Sequence, residues 1–252
     1  GEIMVDFTSF NRGLEQLNLS LDTKQLQQFY RYYELLIEKN KVMNLTAITE
    51  YEEVIHKHFL DSLALVLWKG FKGEGHVIDV GTGAGFPGIP LKIAFPELEI
   101  VLLDSLNKRV KFLNEVVDEL GLQKIVAIHG RAEELARKVE YREMFSLCVS
   151  RAVAPLATLV EYCMPFVSVG GRFVAYKAGG VKEEMNYAQP AIKLLSGRIE
   201  EPISFQLPGT EIDRVFVVVY KEKKGDKKYP RKPGTAEREP LGNSKEKTVK
   251  KL

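Results

Sequence analysis

The spacing of apolar positions divides the chain in two. From residue 7 to 68 no segment alternates as a strand does. Phe29, Tyr32, Tyr33, Leu36 and Ile37 recur at helical spacing, within a helix that Asp22 is placed to cap. A second predicted helix spans Glu52 to Trp68, with Val54, Phe59, Leu63 and Leu67 among its apolar positions, and NLTAIT (44–49) joins the two. Gly70, Gly73 and Gly75 then form a loop, and the period changes. Strands are predicted at His76–Val80, Glu99–Asp104, Ile125–His129, Phe145–Ser150, Arg172–Lys177, Ile199–Leu207 and Val215–Lys221. Helices are predicted to begin near Pro87, Asn107, Ala132, Pro155 and Val181. Such alternation gives a parallel sheet with helices on both faces. No helix separates the last two strands, so LPGTEIDR (207–214) reads as a hairpin and the final strand as antiparallel. The expected fold class is α/β: a Rossmann-like, mostly parallel seven-stranded sheet with an antiparallel last strand, plus an N-terminal helical subdomain.

This pattern sets three parts: a helical subdomain over 1–69, an α/β domain over 70–222, and a tail over 223–252. Charge sharpens the last boundary. The whole chain carries a net charge of only +2, yet residues 221–252 hold 12 Lys/Arg against 5 Asp/Glu, so the body is net acidic. The tail has few apolar side chains and is expected to be flexible. Its charge fits either a polyanion partner or a solvated end. No apolar run reaches membrane-spanning length, and no basic segment followed by an apolar core opens the chain. A cytoplasmic protein without membrane contact is expected. Cys148 and Cys163 lie in apolar surroundings without metal-ligand spacing and read as buried free thiols. No heptad or long apolar edge is present, which leaves a monomer as the expectation.

The chemistry concentrates in VIDVGTGAGFPGIPL, residues 77–91. An acid, Asp79, ends a β-branched run, and Gly81, Gly83 and Gly85 follow at alternate positions. A dinucleotide fingerprint needs G-x-G-x-x-G, which would place Phe86 where the third glycine packs helix on strand. Phe86 and Pro87 at the helix entry also disfavour a pyrophosphate, which prefers a bare helix N-terminus. Both features favour a nucleoside cofactor without phosphates over NAD. Asp79 could orient an amino group of that cofactor, directly or through water. Asp104 ends the next strand 23 residues beyond Gly81, the usual place for a carboxylate that accepts ribose hydroxyls. Ala132 and Glu133 follow the third strand, where a backbone N–H and a carboxylate can meet the base. Taken alone they also read as an ordinary helix start, with acids favoured by the dipole. A parallel sheet closing on an antiparallel hairpin is the order expected of S-adenosylmethionine-dependent methyltransferases.

Further motifs make the likeness specific. NLTAI (44–48), HFLDSL (58–63), DVGTGAGFPGIPL (79–91), LLDSLNKRVKFL (102–113), GRAE (130–133), SRAVA (150–154) and YPRKPGT (229–235) occur in this order. The chain resembles the bacterial 16S ribosomal RNA guanine-N7 methyltransferase family, also called the glucose-inhibited division protein B family, from about Phe7 to Leu241. The resemblance implies S-adenosyl-L-methionine as cofactor and methyl transfer to N7 of one guanine in 16S ribosomal RNA or the small ribosomal subunit. It implies cofactor contacts at Gly81, Phe86, Ala132, Glu133 and Arg151.

The absences agree with that chemistry. Guanine N7 carries a lone pair and no proton, so its attack on a sulfonium methyl needs no general base, and positioning can supply much of the catalysis. No Asp/Asn-Pro-Pro-aromatic motif follows the fourth strand, which disfavours exocyclic amines, and no Pro-Cys motif is placed to attack a pyrimidine. No catalytic residue is obligatory. Arg151 and Lys177, at the ends of the fourth and fifth strands, are the candidate substrate contacts, with surface cations as the plain alternative. For Arg151 the cofactor carboxylate is the preferred partner, because the resemblance places it on the cofactor side. His58 and Asp61 share a helix face and fit packing or RNA contact better than acid–base work. No metal is expected, because His56 and His58 at i and i+2 point apart. Lys108, Arg109, Lys111, Arg131, Arg172, Lys177, Arg231 and Lys232 could form a basic rim for RNA, and no DNA partner is expected. A small-molecule methyltransferase and a non-catalytic ribosome-assembly factor remain the alternatives.

Overall fold

The computed structural model describes residues 4–242. It opens with α1 (Thr8–Gln16) and α2 (Thr23–Asn40). The start of α2 is a reciprocal capping box: Asp22 accepts the Gln25 N–H at 2.8 Å, and the Gln25 side chain accepts the Asp22 N–H at 2.9 Å. The helix expected over 52–68 is a composite. α3 (Tyr51–Val54) passes into a π-helical turn over Ile55–Leu60, then α4 (Asp61–Leu63), then a 3₁₀ turn over Ala64–Leu67. Val54, Phe59 and Leu63 stay buried through the wide turn, so the apolar pattern gives no sign of it. Single π-turns of this kind gather at functional sites, and this one carries His58.

The α/β part follows: β1 (Gly75–Val80), α5 (Gly88–Ala94), β2 (Leu98–Asp104), α6 (Asn107–Glu119), β3 (Ile125–His129), α7 (Ala132–Leu135), β4 (Phe145–Ser150), α8 (Leu156–Cys163), β5 (Val167–Ala178), α9 (Lys182–Leu194), β6 (Gly197–Ile199), β7 (Ile203–Gln206), β8 (Asp213–Lys221) and α10 (Thr235–Arg238). The strands lie in the order β3-β2-β1-β4-β5-β8-β6, with β7 also on β8. β1 to β5 pair in parallel, and β8 is antiparallel to each of its neighbours. The hairpin is as expected, with Gln206 opposite Asp213. The strand count is not: eight strands form where seven were expected, because Ile199–Leu207 is broken. Ile199 faces Val219 while Ile203 faces Phe216, so one extra residue bulges out on this side. Pro202 lies in the break and has no N–H for the ladder.

Alternate strand residues feed two cores. Val77, Leu102, Val149 and Val174 point to one side, and Ile78, Leu103, Cys148 and Ala175 to the other. The first core also contains Phe10, Phe29, Tyr32, Leu36 and Phe59, so the N-terminal helices and the sheet share one hydrophobic interior across the turn near residue 70. Both cysteines are free and buried, and burial pushes the Cys148 thiol up.

The tail differs most from its composition. Flexibility was expected from residue 223, but over 223–242 the chain packs back on the domain. Tyr229, Ala236 and Leu241 are buried. Arg231 makes two-pronged contact with Glu161, at 2.7 Å from the nearest oxygen. Residues 243–252, the rest of the predicted tail, lie outside the described residues. No helix among the described residues is long and apolar enough to cross a membrane.

Candidate cofactor and substrate clefts

β1 has β2 on one side and β4 on the other, and the chain leaves these strands in opposite directions. A crevice opens at the C-terminal ends of strands at such a switch point. Here it is a cleft of about 490 Å³, within the roughly 300–1,000 Å³ of small-molecule sites. Four residues singled out in the sequence, Gly81, Asp104, Ala132 and Glu133, line it together with Leu103, Arg109, Leu159 and Tyr162.

The glycine loop is shaped by positive φ at Gly81 (69°), Gly83 (59°) and Gly85 (107°). The Gly81 and Thr82 N–H groups both donate to the Leu103 carbonyl, which ties the loop to the end of β2. The Gly83 N–H donates to Asp104 at 2.9 Å, and the Leu106 N–H donates to its other oxygen at 3.0 Å. Arg109 stands 3.6 Å from the same carboxylate. Asp104 is thus a fixed acceptor at the cleft floor. Gly85 faces away from the cleft: a Cβ there would lie 2.5 Å from the Tyr32 hydroxyl.

Asp79 is not brought to the cleft. It is fully buried, and one oxygen accepts from the Thr82 hydroxyl at 2.8 Å and the Gly88 N–H at 2.9 Å. Its other oxygen has no hydrogen-bond partner. Burial raises its pKa to about 7 against the pull of these donors. The expected role in orienting a cofactor amino group is therefore corrected: Asp79 fastens the glycine loop to the start of α5. Phe86 is buried as well. Its ring stacks on His58, with centroids 4.4 Å apart, and the Arg151 guanidinium lies 5.4 Å from its centre.

Arg151 and Lys177 line a second cleft, of about 640 Å³, with Tyr176, Arg214, Asp61 and Glu184. The two clefts share one wall, Ala152–Ala154. Arg151 points to the helical part: it is 3.2 Å from Asp61 and 3.2 Å from His58 Nδ1. A guanidinium can only donate, so Nδ1 accepts, and the ring N–H on Nε2 faces the Thr46 hydroxyl at 2.9 Å. Burial lowers the His58 pKa to about 3, with Arg151 adding to the effect. The ring is neutral at physiological pH. Asp61 is raised by burial and lowered by Arg151 and Arg214. His58 and Asp61 together hold Arg151.

Lys177 donates to the Ala154 carbonyl and to Glu184, both at 2.7 Å. Glu184 also accepts the Leu156 N–H at 2.7 Å. The predicted basic rim is reduced by such pairings: Lys177, Arg172 with Glu200, and Arg231 with Glu161 are all engaged. Lys108, Lys111 and Arg131 remain exposed. Sequence reasoning missed Tyr162, Tyr176 and Arg214. Arg214 has one legible signal, since with Asp213 it stands just before the apolar run Val215–Val219. Register then sets it opposite Ala178, beside Lys177.

Solved structures with this fold define its class. The chain superposes on M. jannaschii TYW2 in complex with AdoMet with a TM-score of 0.51 at 12% identity, covering 69% of this chain and 77% of that one. A putative transferase, PH0793 of Pyrococcus horikoshii, gives 0.51 at 11% identity over 66% and 63%. The fold is that of a Rossmann-like methyltransferase. The family model described as GidB, rRNA small subunit methyltransferase G, matches residues 25–208. A protein called ribosomal RNA small subunit methyltransferase G from Lachnoclostridium phytofermentans is 53% identical, over 94% of this chain and 98% of its own. Its namesake from Alkaliphilus metalliredigens is 51% identical over 91% and 96%. The chain belongs to the rRNA small subunit methyltransferase G family.

Proposed function

We propose that this protein transfers the methyl group of S-adenosyl-L-methionine to N7 of one guanine in 16S ribosomal RNA. It acts as a monomer, in the cytoplasm, on the small ribosomal subunit or its precursor. The observation that carries this reading is the shared wall. A donor in the first cleft and a base in the second would meet across Ala152–Ala154.

The first cleft fits the cofactor by its donor set. Asp104 offers a rigid carboxylate to a ribose, and Ala132, Leu103 and Leu159 offer apolar surface to a purine. Gly81 has no Cβ, and one placed there would come within 3.2 Å of Ala152. Gly83, Gly85 and Phe86, read from sequence as contacts, support this reading by shaping the loop and holding Arg151 from behind. S-adenosylmethionine brings an activated methyl group. The chain's own residues then have to place an acceptor in line with it and exclude water. N7 has no proton to lose, and the residues around the second cleft suit that chemistry. His58 is neutral with both ring nitrogens engaged, and Asp61 and Glu184 are each held by cations. Tyr176, Ala154 and Pro155 offer apolar surface to a base. Lys108, Lys111 and Arg131 are free to meet phosphates, which would make binding salt-dependent.

The test is incubation with tritiated S-adenosylmethionine and unmodified small ribosomal subunits, with label mapped by cleavage at 7-methylguanine. Label at one guanine of 16S RNA, lost in Gly81→Arg, is expected. Cofactor binding without label on subunits or free RNA would overturn the proposal.

A further inference from the structure

We infer that Tyr229–Leu241 is a latch on the cofactor cleft, and that the Gly234 N–H positions the Glu133 carboxylate for the adenosine end of the cofactor. The inference rests on the first cleft being the cofactor site. After β8 the chain crosses back over α7 and α8 and is pinned there. Arg142 donates to the Tyr229 carbonyl at 2.8 Å, and Arg137 donates to the Pro230 carbonyl. The Arg231 side chain and its own N–H all donate to Glu161, whose carboxylate is wholly buried. The Thr158 hydroxyl donates to the Ala236 carbonyl at 3.2 Å.

These anchors sit beside the cleft wall, on the adjoining face of α8. Leu159 and Tyr162 of α8 line the cleft, while their neighbours Thr158 and Glu161 hold the latch. One contact reaches a residue that lines the cleft. The Gly234 N–H donates to a Glu133 oxygen at 2.9 Å, and Glu133 is a buried lining residue. Gly234 holds φ at +87°, a conformation that a side chain disfavours. A buried carboxylate with one oxygen fixed by a backbone donor keeps a single orientation, and its remaining lone pairs stay available to a ligand. Latch and cofactor then stabilise each other, because a coupling between two sites is reciprocal.

The full-length chain tests this. Gly234→Pro removes the N–H and cannot hold a positive φ, but leaves the Arg231–Glu161 anchor in place. Gly234→Ala keeps the donor. Calorimetric cofactor binding, steady-state methylation at saturating cofactor, and amide exchange over 229–241 are measured for each. Gly234→Pro is expected to weaken S-adenosylmethionine binding by about tenfold or more, with kcat at saturating cofactor little changed. Gly234→Ala is expected to recover most of the affinity. In the parent protein, cofactor is expected to slow exchange across 229–241. A folded Gly234→Pro with parental affinity would overturn the latch, as would exchange in the parent that ignores cofactor. Should Gly234→Pro not fold, the exchange result on the parent decides. A parent chain that binds no S-adenosylmethionine refutes the cofactor site, and the latch falls with it.

Discussion

Asp79→Asn is expected to gain stability over the parent protein as pH rises. The Asp79 carboxyl is fully buried, and one oxygen has no partner. Burial raises its folded pKa from 3.8 to about 7. A raised pKa in an acid means that the folded state binds the proton more tightly than the unfolded chain. Below pH 3.8 the group is protonated in both states, and folding is indifferent to it. Between 3.8 and 7 the unfolded chain loses its proton and the folded one does not. Stability therefore falls by about 1.4 kcal/mol per pH unit. Above pH 7 both states are ionised and the loss levels off. The total over about three units is on the order of 4 kcal/mol.

Asparagine keeps the shape and removes the titration. Its carbonyl can still accept from Thr82 and Gly88. Its amide would take the position of the unpartnered oxygen and lack an acceptor, a cost of about 1–3 kcal/mol that does not vary with pH. The offset makes a single pH uninformative, so the slope is the measurement. Urea unfolding at pH 4.5, 5.5, 6.5 and 8 gives it for both proteins. The stability difference is expected to shift towards the variant by several kcal/mol across the series and to flatten above pH 7. Parallel pH curves would show that the carboxyl is not held neutral by burial, and the reasoning fails.

Three further outcomes follow from the same contacts. Arg231→Ala removes the partner of a wholly buried carboxylate, a change that costs about 3–5 kcal/mol when the charge stays buried. A smaller loss in urea unfolding, together with fast amide exchange confined to 229–241, would show that the segment lifts and lets water reach Glu161. Tyr32→Phe removes the hydroxyl that donates to the Ala84 carbonyl in the glycine loop. A stability loss of about 1–3 kcal/mol from the unsatisfied carbonyl and weaker cofactor binding are expected, read by urea unfolding and calorimetry. Lys177→Met frees the Ala154 carbonyl and Glu184, which loosens the wall between the clefts. A fall in kcat of up to about 100-fold with cofactor affinity unchanged is expected, and equal losses in both would argue for general misfolding.

What the sequence displayed was local. The turn at Gly81–Gly85 and the acid at Asp104 follow directly from strand ends, so a loop and a carboxylate at those two ends could be read from the chain. Asp79 was misread because a carboxylate that faces a ligand and one that caps its own loop leave the same spacing. Arg151 shows the longer-range limit. Its position at a strand end was legible, but its direction depends on Asp61 and His58, which fold brings from about 90 positions away. The tail failed for a related reason, since charge counting treats Arg231 as a free cation. Its signal lay elsewhere, in LATLVEYC (156–163), where Glu161 stands alone in an apolar helix. A lone acid there has to be paired, and the cation had to come from outside the helix.

Methyl transfer to N7 asks for no acid or base, only for two molecules held in line. The charged groups around the clefts are arranged to match. Lys177 and Glu184 grip the wall at Ala154 and Leu156. The Ser150 hydroxyl donates to the Val80 carbonyl and accepts the Ala152 N–H, which binds the same wall to β1. Arg151, between these two fastenings, is fixed by Asp61 on α4 and by His58 in the π turn. A general base needs a free lone pair and a pKa near the working pH, whereas the His58 pKa lies at about 3 and its ring is locked between Arg151 and Thr46. Ion pairs in this protein set the position of backbone. That explains how the N-terminal helices, which do not line the first cleft, bear on the reaction: they hold the residue from which the shared wall begins.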